Sequence, residues 1–232
     1  MRVGIFLFLL ERNDSNPPLH PPQINSFAFD LPIGLMTPFF LYMSAIAHLI
    51  CISYPSNYLT QINSSINSTR WYEYALSSSL MIAMIAALFG VWELGNLIAI
   101  VGCNNSMNLF GLWMEEANTP SNRQPGSPVI WTPSFLGCLA GVIPWVNIMI
   151  AFLGSGDFGN IPNFVYGILI GYFIFFNTFP VNMVLQYAKV GKWKDYRYGE
   201  VCYIVLSLLS KSLLAWLVFG GTFQPNGSDS DQ

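Results

Sequence analysis

The chain has 232 residues, of which 53% are hydrophobic and only 9% are charged, and its mean hydropathy is +0.47. An ordinary soluble domain carries roughly 25% charged residues. This composition therefore argues against a water-soluble enzyme, a nucleic-acid-binding domain and a disordered chain. The formal net charge of −3 gives no attraction for a polyanion such as nucleic acid. We predict an integral membrane protein.

Six apolar runs are long enough to cross a hydrocarbon core of ~30 Å as helices. They cover residues 31–53, 71–92, 96–114, 130–153, 162–187 and 201–220. Clusters of Asn, Ser, Pro, Gly and charged residues bound each run and end the predicted helices. The predicted fold class is all-α, a polytopic membrane helix bundle over residues 31–220.

A seventh apolar segment, Met1 to Leu10, is too short to cross, because ten residues make only about 15 Å of helix. We predict that it is the remnant of a truncated first helix, followed by an outer loop to residue 30. A signal peptide is the alternative, although no small-x-small cleavage site precedes Glu11 and Arg12. Residues 221–232 are predicted to be a disordered outer tail.

Lys and Arg are concentrated in alternate connections between the predicted helices. Residues 54–70, 115–129 and 188–200 contain six of them, whereas the other connections contain only Arg12. Positively charged loops stay in the cytoplasm, so seven crossings predict a cytoplasmic N-terminus and an extracellular or lumenal C-terminus. The glycosylation sequons divide along the same line, because acceptors must face the lumen to be used. Asn13 and Asn226 fall outside, and Asn63 and Asn67 fall inside.

Lys211 lies in the middle of the last predicted helix, where a charged amine is expensive, roughly 2.5 to 3.5 kcal/mol on insertion scales. Glu73, near the start of the second apolar run, is predicted to be the only acid within the spans and to pair with Lys211. Pairing would balance the two charges and so reduce the free-energy cost of burying each group. A plain structural ion pair is the alternative to a chemical role. Ser207 and Tyr203 extend a polar stripe on the helix of Lys211.

A buried lysine with a fixed carboxylate partner can also condense with an aldehyde to form a protonated Schiff base. Retinal fits this requirement if the spans supply a long apolar slot with aromatic walls. Candidate aromatic residues are Trp145, Tyr166, Phe175, Phe176, Phe179 and Trp216. The four cysteines stand singly, without a CxxC pair, so no metal site is predicted.

The sequence resembles the heliorhodopsins over residues 27–220. Arg70-Trp-Tyr-Glu73-Tyr74 is similar to the family's RxxEY helix, and Ser207-Leu-Leu-Ser-Lys211 is similar to its retinal-binding helix. Weaker similarities follow in chain order. They are Ser44 to His48, Asn104 to Gly111 with Glu115 and Asn118, Pro144-Trp145, and Asn182 to Tyr187.

The resemblance implies a seven-helix architecture of inverted topology, with all-trans retinal as the cofactor. Lys211 would carry the Schiff base and Glu73 would be its counter-ion. The resemblance also implies that a set of residues surrounds the chromophore: Ser207, Ser77, Tyr74, Met81, Asn104, Trp145, Phe176 and Trp216. His48 and Arg70 would belong to a proton network, His48 in a polar cavity on the cytoplasmic half. A histidine held by a neighbouring hydroxyl is the alternative for His48.

These features predict a retinal-binding photoreceptor with a slow photocycle and a signalling output. A proton pump needs a second carboxylate, yet Met84 stands three turns along from Glu73 and cannot donate a proton. A light-gated ion channel through Asn96, Asn104, Asn105 and Asn108, or a degenerate protein without pigment, are the alternatives. No enzymatic activity is predicted. The expected partners are membrane lipid, a second copy in a homodimer and an unidentified signalling protein, with no nucleic acid.

Overall fold

The computed structural model of the chain describes residues 3–9, 23–124, 126–154 and 163–222. Two strands come first, β1 (Val3–Leu9) and β2 (Gln23–Leu31). Seven α-helices follow: α1 (Ile33–Ser53), α2 (Pro55–Asn63), α3 (Ser68–Leu88), α4 (Leu94–Ala117), α5 (Thr132–Gly154), α6 (Asn163–Tyr187) and α7 (Tyr196–Thr222). A short 3₁₀ turn, Gly191–Lys194, joins α6 to α7.

All helices except α2 are long and apolar enough to cross a membrane, which confirms the six predicted spans. The short helix α2 was not predicted, because it lies within a polar connection. It starts with Pro55 at its first position, where a proline costs no backbone hydrogen bond.

The N-terminal prediction was wrong for the residues that the structure describes. Val3–Leu9 form a β-strand rather than helix, paired antiparallel with β2 from Val3 opposite Leu31 to Leu9 opposite Gln23. Valine, isoleucine and phenylalanine favour strands, and seven residues are too few for a stable helix without packing. Phe6 N–H donates to Trp92 O at 2.9 Å, so the hairpin lies at the end of the bundle where α3 turns into α4. The sequons at Asn13 and Asn226 lie outside the described residues.

Helix α3 is the centre of the bundle. In its most apolar window 67% of the residues are buried, against 6% for α1. Small side chains such as Ala83, Ala86 and Ala87 line α3 and let neighbouring helices approach closely. The main apolar core packs around Met81, Ile82 and Ile85 with residues from α1, α4, α5, α6 and α7.

Gly111 sets the distance between α3 and α4, since a Cβ atom there would lie 2.2 Å from the Trp71 ring. We expect Gly111→Ala to lower the free energy of unfolding by about 1–3 kcal/mol, the range for overpacking a core. Thermal unfolding of the purified protein measures the loss.

Gly102→Ala is the matched control for Gly111→Ala, because it lies in the same helix with no atom within 4 Å of the added Cβ. Equal stability of the two variants would contradict the packing role of Gly111.

Candidate functional site

Lys211 and Glu73 meet inside the bundle, as the sequence predicted. Lys211 Nζ lies 2.6 Å from Glu73 Oε1, and the two side chains are 6% and 9% exposed. Ser44 of α1 completes the group: its Oγ accepts from Lys211 Nζ at 2.5 Å and donates to Glu73 Oε1 at 2.6 Å. Three helices, α1, α3 and α7, thus supply one polar atom each to a triangle of hydrogen bonds.

Ser44 was not predicted to be a site residue. Two features of the sequence pointed to it. It belongs to the segment Ser44 to His48 that resembles the family, and it lies one helical turn before His48, the other polar residue near the middle of an apolar run. That spacing places Ser44 and His48 on one face of the helix but does not identify the partners of Ser44.

A cavity of about 560 Å³ borders Lys211, and Glu73 is not among its lining residues. Its lining includes seven of the predicted site residues: Tyr74, Ser77, Met81, Trp145, Phe176, Ser207 and Lys211. The Trp145 ring meets Phe173 and Phe176 edge to face, with ring centroids 5.4 Å apart in both pairs. Aromatic side chains therefore form part of the wall, and Ser207 and Ser210 border the cavity within one helical turn of the lysine.

The cavity lies between α5 and α6, which touch over a short stretch only. Among its lining residues, Val142, Val146 and Ile150 of α5 and Phe173 of α6 are also exposed at the outer surface of the bundle. The slot therefore opens sideways, toward the region that lipid acyl chains occupy.

Besides Glu73 and Arg70, three predicted site residues lie outside this cavity lining. Trp216 is 70% exposed and borders a groove between α1 and α7, because five residues along a helix rotate it by roughly 140° from Lys211. Asn104 faces α3, where its amide donates to Ser78 and Ser79, and Asn108 reaches the cavity instead. His48 is exposed on α1, which does not confirm a cavity position for it.

Arg70 belongs to a second buried polar cluster. Its guanidinium contacts Glu115 at 2.5 Å and Glu200 at 3.1 Å. Glu73 is therefore not the only acid inside the helices, because α4 continues past its apolar run to include Glu115 and α7 begins early enough to include Glu200. Sequence spacing gives no sign of this cluster, since its members are 45 residues or more apart.

Asn67 joins the same cluster and begins α3. Its side chain accepts from Arg70 N–H at 3.1 Å and donates to Glu200 at 2.6 Å, and the residue is 3% exposed. A glycan would not fit on this sequon on either side of the membrane.

The cavity residues fit retinal, the cofactor that the resemblance implies. The buried amine of Lys211, with its carboxylate partner Glu73, borders a slot with apolar and aromatic walls. A long conjugated aldehyde requires such a site. Ser77 Oγ, on the cavity lining next to this pair, is buried without a hydrogen-bond partner among the described residues. An unsatisfied hydroxyl at this place is available to a bound ligand.

We expect Lys211→Met to destabilise the retinal-free protein by about 3–5 kcal/mol, because it leaves the Glu73 carboxylate buried without its cation. The double variant Lys211→Met/Glu73→Leu is expected to recover most of this loss, since an apolar pair of similar size needs no compensation. Thermal unfolding in detergent measures both variants.

Lys194→Met, at an exposed lysine of the 3₁₀ turn, is the control for removal of a cation. A single Lys211→Met variant as stable as wild type would contradict the energetic coupling of the pair.

The Heliorhodopsin family model matches residues 6–223. No curated protein matches the chain at a significant level. The match covers part of β1, all of β2 and all seven helices, including the lysine, carboxylate and cavity residues described above. Heliorhodopsins are retinal-binding, photoreceptor-like membrane proteins, and this chain belongs to the heliorhodopsin family.

Proposed function

We propose that the chain is a light-sensing membrane photoreceptor that holds all-trans retinal on Lys211, with a slow photocycle and a signalling output. One observation carries the proposal: the buried Lys211 Nζ is paired with Glu73 Oε1 and borders an aromatic-walled cavity. Family membership supports retinal binding, and this geometry supports Lys211 Nζ as the atom that binds the retinal aldehyde.

When bound, retinal supplies an aldehyde carbon for a covalent bond to an amine and a conjugated chain that absorbs visible light. Lys211 offers Nζ as the attachment atom. Glu73 Oε1 and Ser44 Oγ accept hydrogen bonds from that nitrogen, so they stabilise a positive charge on it. Glu73 is also the nearest carboxylate that can take the proton when the nitrogen loses it.

The cavity residues orient the ligand and keep water out. Trp145 and Phe176 pack as a wall, and Met81 is buried at 3% exposure beside them. Ser77 and Ser207 place hydroxyls near the lysine. Tyr74 is fixed by its hydroxyl, which donates to Tyr203 O at 2.9 Å.

The distribution of acids supports a sensor rather than a proton pump. A pump needs carboxylates on both sides of the lysine. Glu73, Glu115 and Glu200 all lie toward the end of the bundle that carries α2, near the start of α3 and α7 and the end of α4. On the other half of α3, the position of a second carboxylate is Met84, which is fully buried in apolar core.

The asparagines of α4 do not favour a light-gated channel. Asn104 and Asn108 donate their amides to Ser78 at 2.8 and 3.0 Å, so they join α4 to α3. The cavity that Asn108 borders has mainly apolar walls and offers no continuous polar path among the described residues. No catalysed reaction is part of the proposal. A homodimer and an unidentified signalling partner are part of it, and the mass of the solubilised protein and its co-purifying proteins test them.

We expect the chain reconstituted with all-trans retinal to show a visible absorption band red-shifted from free retinal. Lys211→Ala removes the attachment atom and is expected to abolish the band, whereas Lys194→Ala, at an exposed lysine, is expected to keep it. Glu73→Gln is expected to shift the band further to the red, because the positive charge is then less localised on the nitrogen. Absorption spectra of the purified proteins measure these changes.

A band that survives Lys211→Ala would overturn the assignment of the attachment site. A chain that folds and takes up no retinal would leave Lys211 as a structural ion-pair partner in a protein without pigment. A photocurrent from illuminated cells would show that the protein is a light-gated channel and not a sensor.

The proposal also places the basic connections in the cytoplasm. Helix α2, the α4–α5 connection and the 3₁₀ turn lie at one end, and the β1–β2 hairpin lies with the α3–α4 turn at the other. The described N-terminal residues, Val3–Leu9, then face outward, because they form a strand at the end opposite the basic connections. This proposal replaces the cytoplasmic N-terminus that was expected from seven crossings. The positive-inside rule supports this orientation.

We expect a membrane-impermeant maleimide to label Asp30→Cys on intact cells and to label Lys194→Cys only after permeabilisation. Both positions are exposed and lie at opposite ends of the bundle. Replacement of the four native cysteines by alanine provides the background, and the reverse labelling pattern would contradict the orientation.

A further inference from the structure

Arg70 of α3 faces two carboxylates that come from two other helices. Its Nη2 is 2.5 Å from Glu115 Oε1, and its Nε is 3.1 Å from Glu200 Oε2. The exposed fractions of Arg70, Glu115 and Glu200 are 6%, 1% and 4%. One positive charge therefore faces two groups that would each be negative if ionised.

The other groups around this cluster are neutral near pH 7. Asn67 donates its backbone N–H to Glu115 and its side-chain amide to Glu200, and Tyr196 OH donates to Glu115 at 3.1 Å. The rings of Trp71, Tyr74 and Tyr203 cover the guanidinium. Three more distant titratable groups interact electrostatically with these charges: Cys51, Tyr58 and Tyr187. In the described part of the chain, each salt bridge of the two carboxylates is with Arg70.

The two carboxylates are not equally well bound. Glu115 accepts from Arg70, Tyr196 and Asn67. Glu200 accepts from Asn67, but its Oε2 makes no aligned hydrogen bond, and Arg70 Nη1 also lacks a partner among the described residues. The second negative charge would thus be buried with poor compensation, and the loss of hydration makes such a charge unfavourable.

We propose that Glu115 and Glu200 hold one proton between them at neutral pH, so that this cluster is a buried proton-binding site. A single shared proton leaves one carboxylate to balance Arg70 and removes the uncompensated charge. The proton belongs to the coupled pair and not to either residue alone.

Tyr74 brings this site close to the Lys211–Glu73 pair. Its ring centroid is 5.8 Å from Arg70 Cζ and 5.3 Å from Lys211 Nζ. Charges separated by such a buried ring interact appreciably at low effective dielectric. A change of charge at Lys211 therefore alters how tightly the carboxyl pair holds its proton. This link to light rests on the proposed function, whereas the shared proton does not.

Infrared spectroscopy of the full, retinal-free chain in lipid nanodiscs tests the shared proton. At neutral pH we expect a carbonyl-stretch band of a protonated carboxylic acid that shifts on transfer to D₂O. Glu115→Gln and Glu200→Gln are each expected to abolish the band, because the remaining carboxylate is balanced by Arg70. Glu116→Gln, at the exposed neighbour of Glu115, is expected to keep it.

Absence of the band in the wild-type protein, or its persistence in both Glu115→Gln and Glu200→Gln, would overturn the proposal. Circular dichroism checks that each variant is folded. Glu116→Gln keeps every member of the cluster, so loss of the band in that variant would also overturn the proposal, even where the cluster variants do not fold. Failure to bind retinal would leave this result unaffected.

Discussion

A lysine and a glutamate can lie at the centre of a membrane helix bundle only if each compensates the other. The contact between Lys211 Nζ and Glu73 Oε1 does so, and Ser44 hydrogen-bonds to both side chains. Because the three residues come from α7, α3 and α1, the contact also fixes the relative position of these helices. The cavity next to Lys211 follows from that arrangement, since it occupies the space that α5 and α6 leave beside α3 and α7.

Helix α3 connects this pair to a second set of charges. Arg70 and Glu73 are three residues apart, so they lie on neighbouring parts of one helix surface. Each pairs with charged side chains of other helices, and Tyr74 separates the two sets. A bundle held by these two sets has few ways to pack, because any rotation of α3 would separate both sets of partners.

The sequence was sufficient to predict the six crossing helices, since twenty apolar residues between polar breaks have few alternatives in a membrane. The lysine–glutamate pair was also predictable, because a charge buried in a membrane needs a partner of opposite charge. The strand Val3–Leu9 was not, because a short apolar segment fits a strand or a helix equally well. Trp216 was assigned to the wrong face by its family motif, although its spacing from Lys211 already indicated another direction. Glu115 and Glu200 were missed because only the fold brings them to Arg70.

The sideways opening between α5 and α6 has a consequence for how the cavity is filled. Its rim consists of apolar side chains such as Val146 and Ile150, which meet acyl chains rather than water. For a ligand that dissolves in the bilayer, the concentration that governs occupancy is then its mole fraction among the lipids. Diluting the cells in buffer would leave that quantity nearly unchanged, whereas adding empty vesicles would draw the ligand away.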